Sequence, residues 1–172
     1  MRLLFKMDAR DYAPDAKRFV RPSVRGIILK GEKIAMVHSL KYDYYKFPGG
    51  GIEEGESYSA ALCREVREEA GLQVKKDSIR EYGLVPRLEK GRRGEVFVQD
   101  NFYYFCETET RPVSQDLDAY EAEEQFTLSY VDPRLAIRVN RLSPHGPKNQ
   151  NMLEREARVL ELMLEEGFFK ET

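Results

Sequence analysis

The chain has 172 residues, 41% of them hydrophobic and 34% charged, with a formal net charge of -2, which suits one folded domain over residues 1–172 and leaves little room for two. Basic residues are interspersed with acidic ones, which argues against DNA or an anionic membrane as partner, since those demand a concentrated excess of Lys and Arg. The two cysteines, Cys63 and Cys106, have no metal-type spacing and form no disulfide framework, so both are expected as buried, reduced thiols.

The first residues, MRLLFKMDARDY, hold an apolar run at positions 3–5 that Lys6 cuts off. That run is too short for a signal-peptide core or a membrane span, so a cytoplasmic location is expected. A polar arm through residue 17 precedes two β-rich runs, 20–29 and 33–38, separated by Lys30-Gly31-Glu32 in the manner of a hairpin. Tyr42, Tyr44 and Tyr45 read first as packing and second as a surface on which a base stacks. Phe47-Pro48 then leads into Gly49, Gly50 and Gly51, where missing side chains free the backbone beside whatever binds.

Ser57 is a suitable N-cap, residues 57–70 are helical in pattern, and Gly71 stands at the expected stop. Leu62, Val66 and Ala70 recur at spacing four as the buried stripe, with Cys63 beside them. Glu65, Glu68 and Glu69 fall together on the flank of that stripe. Like charges three and four residues apart weaken an isolated helix, so something must offset this repulsion.

Residues 79–87 and 96–107 read as longer strands joined by a glycine-rich polar turn. Arg87, Lys90, Arg92 and Arg93 are read first as a polar hairpin tip and second as phosphate contacts. Glu121, Glu123 and Glu124 are placed in an acidic loop before a strand at 126–131. Asp132-Pro133 opens a short helix ending near residue 139, Asp suiting the N-cap and Pro the first helical position. A last helix begins around Asn151 and buries Leu153, Ala157, Leu160 and Leu164, supported by Val159 and Met163.

His38 and His145 are the only histidines, and His38 reads as a strand residue. A metal site must therefore rely on carboxylate oxygens, which favours Mg²⁺, with Mn²⁺ as a substitute. From Gly50 the pattern is Gly, five residues, Glu56, seven residues, then Arg64-Glu65-Val66-Arg67-Glu68-Glu69-Ala70-Gly71-Leu72. It resembles the Nudix box, GX5EX7REUXEEXGU with U aliphatic, at all nine specified positions. Average residue frequencies give such a match a chance of roughly one in ten million, so coincidence is set aside.

The resemblance covers residues 50–72 closely and, more loosely, the Phe47-Pro48 lead-in and Tyr130-Val131-Asp132-Pro133. It implies an α/β (α+β) fold of the α/β/α sandwich type, a mixed sheet packed between helices, with a catalytic loop-helix-loop. It implies an enzyme that hydrolyses the pyrophosphate linkage of a nucleoside diphosphate joined to another moiety. Glu65, Glu68, Glu69 and the Gly50 carbonyl are the implied metal ligands, which would answer the repulsion on the helix, and Glu56 with Arg64 is the implied orienting ion pair. The general base is left open between Glu68 and Glu121, Glu123 or Glu124. Pro86 stands roughly where a proline occurs in members that cleave ADP-ribose, without a firm match in spacing. The implied partner is a small nucleotide substrate, and a homodimer is admitted by the resemblance alone. Rivals are a nucleotide-sensing domain without catalysis, an isopentenyl-diphosphate isomerase lacking its required histidine context, and an RNA 5′-end pyrophosphohydrolase, which should bring a basic groove.

Overall fold

A computed structural model describes residues 1–169. Strands β1 (Met7–Asp8), β2 (Arg18–Val20), β3 (Ser23–Ile27), β4 (Leu29–Lys30), β5 (Lys33–Ser39) and β6 (Tyr44–Lys46) precede helix α1 (Tyr58–Ala70). Then come β7 (Arg80–Lys90), β8 (Val96–Phe105), α2 (Ala119–Glu123), β9 (Phe126–Val131), α3 (Pro133–Leu142) and α4 (Gln150–Glu165). In the larger sheet β7 and β8 pair antiparallel, β1 adds parallel to β7, and β2 and β3 add in succession parallel to β8. In the smaller sheet β5 is antiparallel to β4, β6 and β9. Among the described residues no helix is long and apolar enough to cross a membrane.

β5 explains why the sheet is covered twice, because successive side chains of a strand point to opposite faces. Ile34 and Met36 pack with Ala136 of α3 and with Val159, Leu160 and Met163 of α4. Ala35 between them joins Ala61, Leu62, Val66 and Ala70 of α1. Helix α1 thus lies on one face and α3 with α4 on the other, the α/β/α arrangement expected. Full burial of Leu62 and Val66 contributes roughly 1.5–3 kcal/mol each. The ends of α1 are fixed as the sequence indicates: the Ser57 hydroxyl accepts from the Ala60 amide at 3.2 Å, and Gly71 turns left-handed at φ 65°, a conformation that a Cβ disfavours.

Several expectations change. The run 20–29 falls in three strands: Pro22, with no amide to continue the ladder with β8, separates β2 from β3, and the chain changes sheets between β3 and β4. Only Leu29 and Lys30 form the hairpin with β5, while Ser23–Ile27 belongs to the larger sheet. The N-terminal arm docks: the Leu4 amide donates to the Leu84 carbonyl at 2.9 Å and the Leu84 amide to the Arg2 carbonyl at 2.8 Å, and Leu4, Phe5 and Met7 pack against the core. Glu121 and Glu123 lie not in a loop but on α2, whose start is fixed by reciprocal bonds between Asp118 and Glu121. The helix after Asp132 runs three residues past its expected end, to Leu142. Cys63 is only half-buried, whereas burial pushes the Cys106 thiol up to about 12.

Candidate active site

The turn before α1 and the first turns of the helix are tied together by one side chain. Arg64 donates to both carboxylate oxygens of Glu56 at 2.9 Å, from Nε and from Nη2. Its Nη2 also donates to the Gly51 carbonyl at 3.1 Å. Its Nη1 donates to Glu65 Oε1 at 2.8 Å and to Glu68 Oε2 at 3.1 Å. The expected Glu56–Arg64 pair is present, and Arg64 also offsets the repulsion between Glu65 and Glu68, while Lys46 pairs with Glu69. Its hydrogen bond lowers the Glu56 pKa, whereas burial raises that of Glu68 against the pull of Arg64.

Glu65 and Glu68 line a cavity of about 480 Å³ with Gly50, Arg21, Asp116 and Glu121. The segment after β8 brings Asp116 there by satisfying the open end of α1: the Val113 amide donates to the Gly71 carbonyl at 2.8 Å and the Asp116 amide to the Glu68 carbonyl at 2.9 Å. Glu69 takes another direction. It is 1% exposed, pairs with Lys46 and accepts from the Gly49 amide at 2.9 Å. Burial pushes its pKa up to about 7 although Lys46 pulls it down.

Of the other three acids, Glu121 faces the cavity, but Oε2 accepts from the Asp118 amide and Oε1 from the Tyr120 hydroxyl, both at 2.9 Å. Glu123 pairs with Lys41 at 2.5 Å. Glu124 is buried against Lys148 and the Tyr44 hydroxyl. Tyr44 and Tyr45 are core, and His38 stacks on Tyr45 and pairs with Asp43 at 2.9 Å. Pro86 sits in β7, half-buried, opposite Asp100. Lys46, Asp116 and Asp118 went unread in the sequence; for the two aspartates the available signal was the run of acids leading to Glu121.

The donors suit a hard cation in kind, because all are oxygens and the nearest acids converge. Glu65 and Glu68 already face one positive centre, the Arg64 Nη1. A methyl group at Gly50 would fall 2.5 Å from Glu65 Oε2, so glycine keeps the backbone against that carboxylate. Among the described residues, no three acidic, histidine or cysteine side chains stand close enough together to enclose an ion as they are.

A family model described as NUDIX domain matches residues 20–154. An 8-oxo-dGTP diphosphatase of Buchnera aphidicola subsp. Schizaphis graminum (strain Sg) is 40% identical over 55 residues, which is 30% of this chain and 42% of that protein. The match therefore spans well under half the length of that curated relative. A Nudix hydrolase structure from Nitrosomonas europaea superposes with a TM-score of 0.55 at 18% identity, over 79% of this chain and 87% of the other; at that identity the likeness is one of fold.

Proposed function

The chain belongs to the Nudix family, and from that premise we propose that it is a Mg²⁺-dependent pyrophosphohydrolase acting on a nucleoside diphosphate linked to another moiety. The observation that carries this reading is the 480 Å³ cavity in which Glu65, Glu68 and Gly50 meet beside Arg64. Glu65 and the Gly50 carbonyl would hold the cation, while Glu68 keeps one oxygen free of Arg64 for either the cation or a proton. Glu69 completes that set only if its bond with Lys46 is exchanged. The cation supplies charge screening of the phosphate oxygens, which acids alone cannot give.

The chain's own residues do the rest. Arg64, held by Glu56 from the loop, fixes the orientation of Glu65 and Glu68, so that neither carboxylate must be ordered at the moment of reaction. Glu68 is the candidate base: Oε2 is taken by Arg64, leaving Oε1 to accept a proton from water. That water oxygen forms a bond to phosphorus as the anhydride P–O bond breaks, and the leaving phosphate oxygen keeps the electron pair. Glu121 is the poorer base because both of its oxygens are committed.

The test is a hydrolysis screen with Mg²⁺, Mn²⁺ or chelator. Its substrates are nucleoside triphosphates including 8-oxo-dGTP, ADP-ribose, NADH, dinucleoside polyphosphates and 5′-triphosphorylated RNA, with products resolved by mass. Metal-dependent cleavage of a phosphoanhydride is expected, one substrate standing well above the rest. Metal-dependent binding without turnover of any compound would overturn the hydrolase and favour a nucleotide sensor.

A further inference from the structure

A second cavity, of about 710 Å³, shares Arg21 with the acidic one. It is lined by Phe19, Phe97, Asn149 and the turn between β7 and β8. Phe19 and Phe97 stack with ring centroids 6.1 Å apart and planes at 29°. Phe19 is 54% exposed, a large ring on a short strand whose apolar face meets water unless a ligand covers it.

Around these rings the charge is one-sided. Arg21, Lys90, Arg92 and Arg93 face only Glu89 and Glu95 across the groove, in a chain whose net charge is -2. Both acids are already engaged: Glu89 accepts from Asn149 and Asn151 and pairs with Arg87, and Glu95 accepts from the Arg93 amide at 2.9 Å. The four surface cations thus outnumber the two acids that line the groove, and Asp11 beside them accepts from the Lys90 amide at 2.7 Å. Next to Phe97, with its Cζ 5.9 Å from the ring centroid, lies the buried Arg87. Its Nη1 is 3.3 Å from Glu89, yet neither Nε nor Nη1 has a hydrogen-bond acceptor. Burial, and then Arg155, push its pKa down to about 10. The groove therefore pairs an uncovered aromatic surface with an excess of cations, a combination that suits a base carrying a phosphate.

Resting on the hydrolase reading above, we propose that this groove seats a second nucleotide unit of the substrate, its base against Phe19 and Phe97 and its phosphate on Arg21, Arg92 and Arg93. Arg21 spans the two cavities, so the scissile phosphate chain lies over Glu65 and Glu68 and the far nucleoside on the rings. The substrate class is then two nucleosides joined through a phosphate chain. A triphosphorylated RNA end offers the same base and phosphate, but the groove has the volume of a small-ligand site, which favours the smaller compound.

The test compares kcat and KM for a dinucleoside tetraphosphate, a nucleoside triphosphate and a 5′-triphosphorylated RNA, in wild type, Phe19→Ala and Arg92→Ala/Arg93→Ala. Equilibrium binding of a methylene-bridged dinucleoside tetraphosphate is measured alongside. Removing the stacking ring should raise KM for the dinucleoside compound about tenfold more than for the triphosphate. The arginine variant should do the same with a flatter salt dependence. Equal effects on the two small substrates would overturn the assignment, as would RNA turned over with a higher kcat/KM than the dinucleoside compound. Absence of all turnover, with analogue binding still weakened by Phe19→Ala, would overturn the hydrolase reading and leave the groove standing. Analogue binding indifferent to both variants would overturn the groove.

Discussion

Two ionic clusters sit on opposite sides of the Phe47 to Gly51 segment, and they use the same residue types to opposite ends. Beneath α4, Arg155 pairs with Glu156, both at 1% exposure or less. Arg155 also donates to Gln99 at 3.0 Å, while Glu156 accepts from the Phe47 amide at 2.8 Å. Nearby, the buried Arg25 donates to the Gly49 carbonyl at 2.6 Å. Burial alone would raise the Glu156 carboxyl, but Arg155 and Arg25 outweigh it and the net shift is downward. At the start of α1 the proportions are reversed: Arg64 serves Glu56, Glu65 and Glu68 together, and the cavity they border adds Asp116, Asp118 and Glu121. A sealed cluster in which two arginines share one buried glutamate holds the glycine segment in place from below, whereas an open cluster with surplus acid leaves capacity for a cation and a phosphate. The number of ion pairs does not separate structure from chemistry here; the access of water and the balance of charge do.

The sharpest way to break this contrast is to neutralise each cluster by one isosteric change. Glu65→Gln and Glu68→Gln should each lower kcat about a thousandfold, roughly 4 kcal/mol of transition-state stabilisation. Their melting temperatures should stay within a few degrees of wild type, as read by calorimetry and steady-state kinetics on the same samples. Glu156→Gln should do the reverse. It strands a buried guanidinium and should cost about 3 kcal/mol in urea unfolding, because breaking a buried pair leaves a charge without its counterion. If Glu156→Gln cost under about 1 kcal/mol while Glu68→Gln unfolded the chain, the roles assigned to the two clusters would be exchanged.

The open cluster was legible in the sequence because its parts lie close along the chain and depend on local rules: a capped helix, a period of 3.6 and a spacing of eight between Glu56 and Arg64. The sealed cluster was not. Arg25, Gln99 and Glu156 meet only after three distant segments pack, and Arg155-Glu156 on its own reads as a solvated helix face. The same limit hid Lys46, which sits on β6 and reaches Glu69 across 23 positions, and Arg21, which matters only because a short edge strand places it between two cavities. Where local signals were strong, as at β9 and the two ends of α1, the boundaries came out residue for residue. Where a proline interrupted a β-rich run, hydropathy alone joined what the missing amide separates.

A third ion pair extends the comparison to its weak limit. Arg141 of α3 pairs with Glu154 at 2.8 Å and with Glu161, both on α4, with the Glu161 side chain 41% exposed. It resembles the Arg64 cluster in form, one arginine shared among acids, two here against three there, yet it borders neither cavity. Its hydrogen bond to Arg141 holds the Glu161 carboxyl below the ordinary value of 4.5. A carboxyl lowered in the folded state stabilises the fold above its unfolded pKa and loses that contribution as pH falls through the folded value. Glu161→Gln should therefore cost only about 0.5 kcal/mol at neutral pH, given solvent screening of so exposed a pair. The difference from wild type should be level from about pH 6 to 8 and shrink steadily as pH falls below 4.5, in urea unfolding repeated across that range, and 1 M salt should shrink it. A difference that grew on acidification would mean that the pair opposes the packing of α3 on α4, since the carboxylate would then be better stabilised in the unfolded chain.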